Sequence, residues 1–76
     1  MKYFFISIVH TADSDDVASQ MLGYDSLREA EIKFHDEVSY GLKLDNIKVA
    51  HFQVINEYGM LQNGLTRTIA TENAPL

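Results

Sequence analysis

Three histidines, eleven acidic residues and no cysteine set the range of chemistry open to this chain. Three imidazoles around an open position make a catalytic zinc site, so His10, His35 and His51 are the first candidates. They show neither H-x-x-x-H nor H-x-H spacing and would meet only if the fold converged them. They are read as solvated or hydrogen-bonded histidines, and no metal is expected. Asp13-Ser14-Asp15-Asp16 begins like a calcium loop. Such a loop needs Gly at its sixth position and Glu at its twelfth, where Ala18 and Tyr24 stand, so the segment reads as a solvated acidic turn. The glycines (Gly23, Gly41, Gly59, Gly64) stand singly, without the spacing that cradles phosphate, and no G-x-S-x-G elbow occurs. Without cysteine there is no thiolate nucleophile, thiolate metal ligand or disulfide. No carboxylate pair is singled out by spacing, and a chain this small has little room for a pocket of about 300 Å³ or more. The expectation is a protein that is not an enzyme, with no catalytic residue and no cofactor.

Charge narrows the partners. Lys2, Arg28, Lys33, Lys43, Lys48 and Arg67 are scattered, and the net charge is −5. Phosphate binding needs several basic groups on one surface, so neither nucleic acid nor an anionic membrane is expected as a direct partner. The acids could instead enter a partner's basic groove. Asp13, Asp15, Asp16, Glu29 and Asp36, with the apolar Ile32 beside them, are the candidates for such a partner surface. The longest apolar run, Tyr3 to Val9, is interrupted by Ser7 and falls short of the roughly 20 residues of a spanning helix. No signal peptide is read at the start, and the expected location is the cytoplasm.

The elements that must position these residues read as ββαββ, an α+β domain over residues 1–71 with a frayed tail at 72–76. Lys2–His10 is rich in aromatic and β-branched residues and reads as a strand, followed by the acidic loop and a weaker strand over Val17–Tyr24 with Gly23 as a bulge. Ser26-Leu27-Arg28-Glu29 is a capping box. It opens a helix to Gly41, read as the C-terminal stop, that buries Leu27, Ala30, Phe34 and Val38. Glu29–Lys33 and Lys33–Glu37 are pairs at i,i+4 on its outer side. Ile47–Asn56 is a strand, Glu57-Tyr58-Gly59 a hairpin connection, and Met60–Thr71 the returning strand with a bulge at Asn63-Gly64. Passing the helix over the first strand gives a four-stranded antiparallel sheet in the order 2-1-3-4, with the helix packed on one face.

Met1-Lys2-Tyr3-Phe4-Phe5, Tyr24-Asp25-Ser26, Glu29-Ala30, Phe34-His35-Asp36-Glu37 and Val54-Ile55-Asn56-Glu57-Tyr58-Gly59 give residues 1–60 a likeness to a known group. The chain resembles a loose group of small uncharacterised proteins encoded by phages and prophages of Gram-positive bacteria. The resemblance implies a phage-derived context of small interaction proteins and inhibitors of host machinery. It brings no catalytic or binding set with it. The chain departs from the group by ending without an aromatic residue after Thr66.

The strands hold more apolar residues than one helix can cover. Phe4, Ile6 and Ile8 point one way and Tyr3, Phe5 and Val9 the other, and a strand solvated on one side should alternate cleanly. The expectation is a homodimer formed through the sheet by Tyr3, Phe5, Val9, Ile47, Val49 and Ile55. Its competitor is a C-terminal segment, with Leu65, Ile69 and Leu76, folded back over the open face. The function read from these residues is protein–protein interaction by self-association, with an acidic nucleic-acid mimic inhibiting a host protein as the alternative.

Overall fold

The structure, a computed structural model, describes residues 1–13 and 15–70. It contains β1 (Tyr3–Thr11), β2 (Val17–Tyr24), α1 (Leu27–Lys43), β3 (Ile47–Asn56) and β4 (Leu61–Ala70). The strands form one antiparallel sheet in the order β2-β1-β3-β4 with α1 on one side, as the sequence pattern predicts. β2 and β3 both run antiparallel to β1 and hence parallel to each other, so α1 carries the chain across β1. Thr71 and the tail at 72–76 lie outside the described residues.

The helix starts where the capping box puts it: the Glu29 amide donates to the Ser26 hydroxyl oxygen at 3.2 Å. Lys33 and Glu37 pair at 2.7 Å, and this hydrogen bond raises the Lys33 pKa above the ordinary lysine value. The expected stop at Gly41 is not observed. The helix runs on to Lys43, and the Leu44 amide closes it by donating to the Gly41 carbonyl at 3.2 Å. Gly41 is there for a packing reason. A β-carbon on it would lie 3.3 Å from both Phe52 Cζ and Ile69 Cδ1, so glycine lets the helix settle onto β3 and β4.

Ala30, Phe34 and Val38 meet Phe5, Ala50, Phe52, Val54 and Leu65 in the core, with Phe5 and Phe52 stacked at 6.3 Å between ring centroids. Leu27, expected in this stripe, is 37% exposed. It sits in the first helical turn at the end of the sheet, where the strands give it less to cover. Gly23 is not a bulge either: it pairs regularly with Phe4, and a β-carbon would meet the Phe4 ring edge at 3.3 Å.

The β3–β4 hairpin turns on Asn56, whose Oδ1 accepts from the amides of Tyr58 and Met60 at 2.9 and 3.0 Å. Gly59 takes the positive φ the turn needs, +79°. The Asn63-Gly64 bulge forms as read. Ile55 faces Leu61 and Gln53 faces Thr66, so three extra residues of β4 are absorbed around Gly64, at φ +77°.

Candidate interaction surface

Residues opposite each other in an antiparallel ladder project to the same side, so the register assigns each strand residue to a face. Tyr3, Phe5, Ser7 and Val9 of β1 lie under the helix with Leu22 and Tyr24 of β2 and Ala50, Phe52 and Val54 of β3. Phe4, Ile6 and Ile8 lie on the uncovered side, with Val17 and Met21 of β2, Val49 and Ile55 of β3, and Leu61 of β4.

This corrects the expected self-association set. Tyr3, Phe5 and Val9 belong to the core or pack against it, and Ile47 is buried, so none of these four is offered to a partner. Val49 and Ile55 do lie on the open side. Their true neighbours are Phe4, Ile6 and Ile8, because Phe4 faces Ile55 and Phe5 faces Val54. Simple alternation also placed Ile47 with Val49. The register shifts between His10 and Thr11, so Val49 faces His10 while Ile47 faces Thr11 on the helix side, with Lys48 as the extra residue. The fold-back competitor loses two of its three residues: Leu65 is buried under the helix and Ile69 packs against the same core, while Leu76 lies outside the described residues.

The open face carries an internal polar network. His51 Nδ1 lies 2.8 Å from Thr68 Oγ1, and His51 Nε2 lies 3.1 Å from Gln53 Oε1. With that amide oxygen as acceptor, Nε2 holds the proton and Nδ1 accepts from the Thr68 hydroxyl, so both ring nitrogens are satisfied inside the face. His10 shares this side, while His35 stands exposed on the helix with its ring edge-on to Phe34. Among the described residues no group of three or more metal-ligating side chains converges.

The acids expected to act together are divided by the fold. Glu29 opens the helix at the sheet end where Tyr3 faces Tyr24, and Asp36 follows two turns later with Ile32 between them on the outer side. Asp13, Asp15 and Asp16 lie at the other end, next to the Ala12 amide that donates to the Asn46 carbonyl. Glu29 and Asp36 are thus spread along the helix, while the other acids lie in the loop beyond the far end of β1.

On the helix side, α1 packs mainly on β3 and β1 and least on β2. That leaves a cleft of about 360 Å³, lined in part by Val9, Ala18, Gln20, Tyr40, Leu44 and Phe52, larger than a chain of this length was expected to hold. No helix among the described residues is long and apolar enough to cross a membrane. Comparison of the chain with protein-family models, curated proteins and solved structures finds no match.

The sequence reading missed Phe4, Ile6 and Ile8 as the outward set. The signal was present in the small residues: Ala30, Gly41 and Ala50 are where helix and sheet approach closely, and Ala50 carries its even-numbered neighbours Phe52 and Val54 to that side.

Proposed function

We propose that this chain is a non-enzymatic interaction module that works by protein–protein contact through the uncovered face of its sheet, and that the occupant of the face is a second copy of the chain. The observation that carries this reading is the composition of the face. Among the described residues nine apolar side chains lie on it, the eight named above and Ala70 opposite Val49, with Ile8, Met21 and Leu61 at 45%, 64% and 52% exposure, and no Asp, Glu or Arg.

Size supports the reading. Four strands about 4.8 Å apart, with residues rising about 3.3 Å, span a footprint on the order of 500 Å². Its apolar part is comparable to the largest patch on an ordinary monomer, and such patches are often functional. Two such faces together remove on the order of 1,000 Å² from water, the size of a weak, concentration-dependent interface. Dehydration is tolerable at His51, because Thr68 and Gln53 already satisfy its ring. The likeness of residues 1–60 to phage-encoded proteins suits an interaction role and belongs to the same proposal.

Methyl NMR with a soluble paramagnetic agent tests it. The methyls of Ile6, Ile8 and Ile55 should be shielded at high micromolar concentration and become accessible in Ile8→Lys. Full accessibility in the parent at that concentration overturns the second copy as occupant and leaves the face for another protein. Salt distinguishes the acidic mimic: apolar contact between two copies of charge −5 tightens as salt screens their repulsion, whereas a mimic loses its partner.

A further inference from the structure

β2 is an outer strand, hydrogen-bonded to β1 alone through eight register pairs without a slip. Its residues, VASQMLGY, include no charge and no proline. Alternate residues of an outer strand direct their N–H and C=O groups away from the sheet, which makes a template for another strand unless charge, proline or a bulge blocks it. β4, the other outer strand, has such protection: Arg67, and the bulge around Gly64 that breaks its register. β2 has none.

We propose that β2 pairs antiparallel with β2 of a second copy about a two-fold axis at Gln20, joining two sheets into one of eight strands with both helices on the same side. The occupant follows from the strand's own pattern. Val17, Ser19, Met21 and Gly23 lie on the open side and Ala18, Gln20, Leu22 and Tyr24 on the helix side, so a self-pairing that keeps both helices together must centre on one residue. Centred on Gln20, Val17 meets Gly23, Ala18 meets Leu22 and Ser19 meets Met21, each large side chain beside a small one. Centred on Met21, two exposed methionines oppose each other and Gln20 meets Leu22. In the first register every pair off the axis is size-complementary, and the two Gln20 amides meet on the axis.

Within the strands charge does not oppose the pairing, since neither strand carries any, although each copy carries −5. Just beyond the strand ends, Asp15 and Asp16 of one copy near Asp25 of the other, whose carboxylate Lys2 holds. Ala18, Ser19 and Gln20 line the cleft under α1, so the added strand also walls its outer side. This contact goes beyond the proposed face and does not depend on it.

The chain has no cysteine, so one introduced thiol reports one position. Under mild oxidation or a short thiol crosslinker, Gln20→Cys should form covalent dimer in high yield, well above Ser19→Cys or the β4 control Arg67→Cys. Mixing Ser19→Cys with Met21→Cys should give the mixed dimer in preference to either self-dimer. Gln20→Lys, which sets like charges face to face on the axis, should abolish pairing while the far-UV spectrum stays native. Equal, collision-level crosslinking at 19, 20 and 67, with no preference in the mixture, overturns the pairing and leaves the open-face contact untouched.

Discussion

Replacing Gly41 by Ala sets two effects of opposite sign against each other. In an open helix interior the exchange is favourable by about 1 kcal/mol, because Ala surrenders less backbone entropy than Gly. Here the new methyl would arrive 3.3 Å from Phe52 Cζ and 3.3 Å from Ile69 Cδ1. Phe52 is 2% exposed and stacked on Phe5, which resists its displacement toward the neighbouring cleft. Ile69 is half-buried and its terminal methyl is the softer neighbour. Overpacking of a filled core costs about 1–3 kcal/mol, which exceeds the helical gain and leaves a net loss of about 1 kcal/mol. For a chain of this size that lowers the melting temperature by roughly 4–8 °C, readable by circular dichroism. Ile69→Val removes the softer contact, so Gly41→Ala should be much less harmful in that background, and a double-mutant cycle reports the coupling. If Gly41→Ala stabilises the parent by the full helical increment, the helix is not seated on Phe52 and Ile69 as described.

Phe34→Ala should cost about 3–5 kcal/mol and unfold a domain of ordinary stability, while Leu27→Ala, at a more exposed position, should cost clearly less; urea midpoints order the two. Ser26→Ala removes the acceptor of the Glu29 amide and should cost about 1 kcal/mol, seen as a lower melting temperature. The hydrogen bond from Lys2, and then its charge, hold the Asp25 carboxyl below its usual pKa. Its contribution is therefore present above the ordinary carboxylate range and lost as pH falls through the lowered value. Asp25→Asn should flatten that part of the melting temperature against pH, lowering it slightly at neutral pH and not at all once the carboxyl is protonated.

The element types and the strand order could be read from the chain because local signals there agree with the fold: the Ser26 cap, the Phe34 stripe, Gly59 in its turn and the alternation along β3. The interaction face could not be read in full. Alternation says that Phe4 and Phe5 point apart, but the choice of covered face belongs to the helix, and depends on where Ala30 and Gly41 bring it close to Ala50 and Phe52. The register shift at His10–Thr11 has no glycine or proline to mark it, so Ile47 was grouped with Val49 although it lies on the other side. Gly41 misled for a related reason. A glycine near a helix end suits a C-cap, and only the neighbouring Phe52 and Ile69 side chains reveal it as a packing glycine. Composition alone groups the acids, and the fold spreads Glu29 and Asp36 along the helix and sets Asp13, Asp15 and Asp16 beyond the far end of β1.

The most direct test of association through the open face is static light scattering on Gln20→Lys, in which edge pairing is blocked and the face is untouched. At tens of micromolar this protein should show a mass twice the 8.6 kDa of the chain, and adding Ile8→Lys should return it to the single-chain value. A Gln20→Lys protein that scatters at 8.6 kDa over that range contradicts self-association through the face.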